Sequence, residues 1–211
     1  MPLINITEVN ENIHLAVWKI VEDLDSLEKK VRLSAGDKII YKEIHHAGKA
    51  LEFLAGRMLC FQAFHDLQKT YQPIYRNVFG KPEMPDSNYS LSLSHTADYV
   101  VVIIGNGIDV GIDIEKPHEK MRKVAPRILT QEEMMFCNDQ LLHFSKMWSA
   151  KEVLYKLYMK REIDFREHLF LKPVDENWSE MKGEIIKDGY RKECLLKFIN
   201  LQEYFICFNT N

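Results

Sequence analysis

The sequence predicts an α+β fold made of two similar α+β halves, and three observations carry that prediction. Between Glu43 and Leu67 the apolar residues Ile44, Ala47, Leu51, Leu54, Met58 and Phe61 recur every three or four positions, the spacing of a helix that buries one stripe. From Tyr89 the period drops to two: Tyr89, Leu91, Leu93 and His95 share one side of an extended segment, and Ser90, Ser92 and Ser94 share the other. After a second helical stretch over 118–161, strand-forming runs return at 183–187, 192–199 and 203–208. Each half thus runs strand, helices, strand group. The boundary falls near Gly107, giving halves of residues 1–107 and 108–211.

In order along the chain, 13–20 reads as the first strand and the charged segment 25–30 as a helix. Pro73 follows the end of the long helix, and Gly80-Lys81-Pro82 marks a turn. The run Tyr99 to Ile104 is β-rich and continuous, as in a central strand. Gly105-Asn106-Gly107 is a tight-turn signal. It leads into a strand over 108–115 that Pro117 stops, so the middle of the chain is expected to be a three-strand meander. The stretch 118–161 divides into three helical pieces. One opens at Thr130, with Glu133 in the capping-box position, and the last runs from about Leu141 to Lys160.

With 211 residues, 46% of them hydrophobic and 28% charged, the chain is long enough for a full core. The net charge of −3 is evenly spread: residues 1–107 hold 11 Lys or Arg against 13 Asp or Glu, and residues 108–211 hold 17 against 18. Such a balance argues against a nucleic-acid binder, which needs a basic surplus. A small phosphorylated ligand needs only a few placed cations. The four cysteines, Cys60, Cys137, Cys194 and Cys207, lie far apart with no C-x-x-C spacing, so buried reduced thiols are expected rather than zinc ligands. The start of the chain, Met1 to His14, lacks the basic and apolar regions of a secretion signal. No apolar run is long enough to span a membrane, so a soluble cytoplasmic protein is expected.

Two short segments carry the chemistry. In Gly111-Ile112-Asp113-Ile114-Glu115 the two carboxylates lie two apart on a strand, hence on one face and about 6.5–7 Å apart at the backbone, while Ile112 and Ile114 face the core. Like charges so placed repel, and a divalent cation reverses that cost. In Trp148-Ser149-Ala150-Lys151-Glu152, Glu152 falls among aromatic residues of a helix that is apolar on both sides. A carboxylate there is costly unless paired or metal-bound. Three carboxylates from two rigid elements suit a hard cation and chemistry on phosphates.

These segments, with Trp148-Ser-Ala-Lys151-Glu152-Val-Leu-Tyr-Lys156 read as a unit, resemble the signature of the 4′-phosphopantetheinyl transferase superfamily. Upstream, Phe79-Gly80-Lys81-Pro82 and Leu93-Ser94-His95 resemble two further family segments in the same order, and the chain length resembles the longer, single-chain surfactin type. The resemblance implies a pseudo-dimer of two similar α+β halves, the first contacting coenzyme A and the second holding the metal carboxylates and the catalytic helix. It implies Mg²⁺-dependent transfer of 4′-phosphopantetheine from coenzyme A to a serine of an apo acyl or peptidyl carrier protein, by a monomeric enzyme. Asp113, Glu115 and Glu152 would hold Mg²⁺. Glu152 would also accept the serine proton, and Lys151 would point a cation at the phosphates. Lys81, Pro82, Ser94, His95, Arg57 and Lys156 would contact coenzyme A, with Arg57 as the long helix's candidate for the 3′-phosphate. The usual G-x-G-L after the final lysine is replaced here by Leu157-Tyr158-Met159-Lys160. The basic residues Lys116, Lys120, Arg122, Lys123 and Arg127 would steer an acidic carrier.

The alternative is a metal-dependent phosphohydrolase or nuclease, which needs a basic groove and leaves Ser94-His95 and Gly-Lys-Pro without a task. A non-catalytic relative would be expected to lack a carboxylate, and all three are present.

Overall fold

A computed structural model describes residues 3–85, 87–158, 160 and 162–211. The architecture is α+β with antiparallel sheets, and the chain divides into two compact units, Met1–Asp109 and Val110–Asn211.

The first unit opens with a hairpin of β1 (Leu3–Asn10) and β2 (Ile13–Lys19). Three helices follow. α1 (Leu24–Lys30) is capped by Asp23, whose carboxylate accepts the Ser26 N–H at 2.7 Å. α2 (Ala35–Lys42) is capped by Ser34, and α3 (Ala47–Asp66) by His46. A small hairpin of β3 (Tyr75–Arg76) and β4 (Pro82–Glu83) turns at Gly80, whose φ of +87° favours glycine. The long strands β5 (Tyr89–His95) and β6 (Tyr99–Asn106) complete a sheet in the order β1-β2-β6-β5. β6 is central and buried up to Gly105, as its unbroken apolar run requires.

α3 is where the periodicity expected, but the stripe it buries is rotated. Ala50, Leu54, Ala55, Leu59, Cys60, Ala63 and Phe64 are buried, whereas Phe61 is 50% exposed. The helix approaches the sheet through small residues. A β-carbon on Gly56 would already stand 3.4 Å from Leu93 and 3.7 Å from Val100. Counting only large apolar residues misses such a face.

The second unit begins with β7 (Ile112–Glu115). It continues with α4 (Met121–Ile128), α5 (Gln131–Cys137) and α6 (Leu141–Tyr158). Then come β8 (Leu169–Pro173), β9 (Glu180–Lys187), β10 (Tyr190–Leu201) and β11 (Tyr204–Asn209), giving the order β7-β11-β10-β9-β8. The capping box at α5 forms in full: Thr130 Oγ1 accepts the Glu133 N–H at 3.2 Å, and Glu133 returns a carboxylate oxygen to the Thr130 N–H at 2.8 Å. The core is α6 on the sheet, with Met147, Ala150, Val153, Leu154 and Leu157 among Met181, Ile185 and Leu196.

The expected meander does not form. β6 already has β5 on one side and β2 on the other, so no edge remains for a third strand. Residues 112–115 pair with β11 instead, Asp113 opposite Cys207 and Glu115 opposite Phe205. One connectivity recurs in both units. The strand that precedes the helices pairs with the last strand, which in turn pairs with the strand before it: β2-β6-β5 in the first, β7-β11-β10 in the second.

All four cysteines are buried and unpaired. Burial pushes the thiols of Cys60 and Cys137 up to about 12 and that of Cys194 to about 11. Among the described residues no helix is long and apolar enough to cross a membrane.

Candidate active site

β7 is short and lies against α6, and a glycine makes the approach possible. A β-carbon at Gly111 would stand 2.7 Å from the Val153 carbonyl oxygen and 3.2 Å from Leu157 Cγ. The Gly111 N–H donates to Asn209 Oδ1 at 2.8 Å, which ties the start of β7 to the end of β11. Ile112 and Ile114 are buried in the core, and the alternation turns Asp113 and Glu115 the other way.

α6 meets those carboxylates with one arc of its surface. Taking Trp148 as zero, Glu152, Lys156 and Ser149 lie at roughly 40°, 80° and 100°. Trp148 Nε1 donates to Glu115 Oε1 at 2.9 Å, and Ser149 Oγ donates to Asp113 Oδ2 at 2.8 Å. Lys156 Nζ donates to Asp113 Oδ1 at 3.0 Å and to the Ile112 carbonyl at 2.7 Å. Phe165 stacks on Trp148 and leans against Tyr155 beside this arc.

The charges feel one another. Burial, and then the Asp113 charge, raise the Glu115 carboxyl above its ordinary value, against the pull of the Trp148 hydrogen bond. Burial pushes the Glu152 carboxyl up to about 7; Lys156 offsets part of this, and the charges of Asp113 and Glu115 add to it. Glu152 is thus a carboxylate placed where it readily takes up a proton.

Lys151 has a different role from the one expected. It is fully buried, and its ammonium stands 2.8 Å from each of four acceptors, Glu133 Oε2 and the carbonyls of Ile128, Phe165 and Leu169, which share its three N–H groups. Burial lowers its affinity for the proton, and Glu133 restores part of it. About 100° of helix separates Lys151 from Glu152, which is enough to send it into the core. It therefore does not point at phosphates. It ties α6 to the ends of α4 and α5 and to β8.

In the first unit, His95 ends β5 with Nδ1 2.8 Å from Glu52 Oε2 of α3, and Lys49 donates to the same oxygen at 2.7 Å. Lys81 and Pro82 lie at the β3–β4 hairpin, with Lys81 Nζ 3.8 Å from Asp109 Oδ1. Ser94 lies opposite Val101 on the outer strand β5. Arg57 departs from expectation. It is buried, its Nε donates to Asp37 Oδ1 at 2.7 Å, and its guanidinium lies over the Phe53 ring at 4.6 Å. Five residues from Glu52, it sits about 140° around α3 and cannot share the face that meets His95. The arginine is spent on an internal ion pair. Met159, within the segment that departs from the family pattern, lies outside the described residues.

Nothing in the residue pattern alone assigns a partner to Trp148, Ser149, Glu133 or Glu52, which the structure supplies. The signal for the first pair was available: two hydrogen-bond donors share the Glu152 arc. The sequence marks Glu133 as a cap, and its second partner, Lys151, 18 residues along, has no local sign.

Among the described residues no three His, Cys, Asp or Glu side chains stand close enough together to hold a metal ion. A cation caged by three protein carboxylates therefore does not fit. The donor chemistry does fit Mg²⁺ bound in its more usual way, by one or two carboxylates with substrate oxygens and waters completing the shell. Asp113 and Glu115 are two such carboxylates, with the Glu115 proton affinity raised by burial and then by its neighbour's charge.

No curated protein matches the chain. The stretch that carries Asp113, Glu115, Glu152 and Lys156, residues 109–207, matches the family model of the 4′-phosphopantetheinyl transferase superfamily, and so supports that superfamily for this chain.

Proposed function

We propose that this protein transfers 4′-phosphopantetheine from coenzyme A to a serine of an apo acyl or peptidyl carrier protein. The observation that carries the reading is the β7–α6 cluster within the matched stretch: two strand carboxylates and a half-buried Glu152 whose carboxyl is pushed up to about 7. The serine oxygen attacks the phosphorus that bears the pantetheine arm. The bond from that phosphorus to the adenosine-side phosphate oxygen breaks, and 3′,5′-adenosine bisphosphate leaves. Glu152 takes the serine proton, directly or through a water. Asp113 and Glu115 would hold Mg²⁺, which supplies charge neutralisation at the phosphates. Lys156, already held at Asp113 and the Ile112 carbonyl, adds a fixed cation beside them.

The pseudo-dimer belongs to the same reading. The recurrence of short, short and long helices, and of β2-β6-β5 as β7-β11-β10, supports it. In the first unit, His95, Ser94, Lys81 and Pro82 are the proposed coenzyme A contacts. Arg57 is not among them, because Asp37 occupies its guanidinium. For an acidic carrier, Lys120, Lys123 and Arg127 are the proposed steering charges. Arg122 already pairs with Glu119 and Asp139, and Lys116 with Glu203. The family match does not favour a phosphohydrolase or nuclease.

The test is incubation with coenzyme A, Mg²⁺ and a panel of apo carriers, read by intact mass. A carrier should gain one phosphopantetheinyl group. Glu152→Gln should abolish the gain while keeping the far-ultraviolet circular dichroism of the wild type. Full transfer by that variant would remove Glu152 from its role, and no gain on any carrier would overturn the reading.

A further inference from the structure

Two hydrogen bonds at the site are made by groups that take no part in the proposed transfer. Trp148 and Ser149 are neighbours on α6, yet they serve different carboxylates, Glu115 at 2.9 Å and Asp113 at 2.8 Å. The acceptors are two apart on β7, about 6.5–7 Å at the backbone. The donors are one apart on a helix, about 1.5 Å in rise and 100° around it. Here a long and a short side chain, the indole and the hydroxyl, bridge that mismatch. Both are themselves held. Ser149 is fully buried, and the Trp148 ring stacks with Phe165 at 5.8 Å between centroids.

We propose that Trp148 and Ser149 are positioning residues that orient the Asp113 and Glu115 carboxylates toward a divalent cation. This rests on the cation reading given above and adds the residues that prepare the site. An ionised carboxylate has about four lone-pair directions. The Trp148 bond engages Glu115 Oε1, and the Ser149 and Lys156 bonds engage the two oxygens of Asp113. A donor held at a carboxylate oxygen fixes how that carboxylate is turned. Trp148 and Ser149 are neutral donors, so they set orientation without competing with the cation through charge, as a second lysine would. Second partners of this kind are worth about 10- to 100-fold in metal affinity where they have been removed from other sites.

The indole N–H of Trp148 is also a reporter, since its acceptor is one of the proposed ligand oxygens. In ¹⁵N-labelled protein its resonance is identified by its loss in Trp148→Phe. Titration of the wild type with Mg²⁺ in the presence of coenzyme A should move that resonance saturably. Binding of Mn²⁺, followed by electron paramagnetic resonance, should weaken roughly tenfold or more in Ser149→Ala and in Trp148→Phe, and Ser149→Thr, which keeps the hydroxyl, should stay near wild type. Trp148 is only partly buried, so Trp148→Phe carries the test even if Ser149→Ala does not fold. If the wild type shows no saturable response to either cation, the cation reading falls and this proposal falls with it. If the wild type responds and both variants bind Mn²⁺ as tightly, the cation reading stands and the positioning role is overturned.

Discussion

Glu152 sits where its charged form is disfavoured. Its carboxyl is pushed up to about 7, first by burial, with the charges of Asp113 and Glu115 adding to what Lys156 offsets. In the unfolded chain the same carboxyl titrates near its ordinary 4.5. Between those two values the folded protein holds a proton that the unfolded chain has lost. Stability therefore falls as pH rises through that window, by on the order of 3 kcal/mol at most, and below it the cost is absent. Glu152→Gln should thus melt higher than the wild type at pH 8 without divalent cations, and the gap should close toward pH 4.5. Equal melting curves at pH 8 would show that the charge is not strained. The aromatic company of Glu152 was legible in the sequence, because helical period alone places Trp148 and Tyr155 beside it. The fates of Lys151 and Arg57 were not. Each is settled by one carboxylate distant in sequence, Glu133 and Asp37, and no local pattern announces such a pairing.

The site depends on how closely β7 and α6 approach, and Gly111 sets that distance. The nearest obstacle to a side chain there is the Val153 carbonyl, which is helix backbone and cannot swing aside as a flexible side chain would. Gly111→Ala should therefore push the helix and strand apart, at a cost of about 1–3 kcal/mol. Denaturant unfolding would measure that loss. On the proposed function, transfer measured by carrier mass should fall further than the folded fraction does, because the Ser149 and Lys156 hydrogen bonds to β7 span the same gap. Unchanged stability would mean that the contact relaxes freely. Elements with strong internal marks were readable: the capped α5, the long α6 and the wholly apolar β6. Among those missed were β1 and β8, outer strands paired on one side only, where polar residues such as Asn5, Glu8 and Lys172 blur the alternation. α2 was missed too, being short and carrying Gly36 near its start.

Over the whole molecule, one pairing scheme is used twice, and it joins ends rather than neighbours. A strand on the near side of three helices finds its partner on the far side: Ile13 to Lys19 with Tyr99 to Gly105, and Ile112 to Glu115 with Phe205 to Phe208. This is why the order of strands within each sheet was not legible from the period of the chain. A turn such as Gly105-Asn106-Gly107 signals that the chain reverses, but whether the next strand stays in the same sheet depends on an edge already taken by β2. The placement of β11 between β7 and β10 also governs the order of events during synthesis. As the polypeptide emerges from the ribosome, the stretch bearing Asp113 and Glu115 appears early but has no strand to dock on until nearly a hundred further residues have followed it. A nascent chain arrested before Tyr204 should therefore hold α6 and a frayed 112–115 segment with no competent acidic pocket. Removing residues 204–211 should leave a protein whose second unit does not unfold cooperatively, while a chain shortened only at Thr210 and Asn211 should keep that cooperativity; on the proposed function, carrier modification should be lost and kept in step.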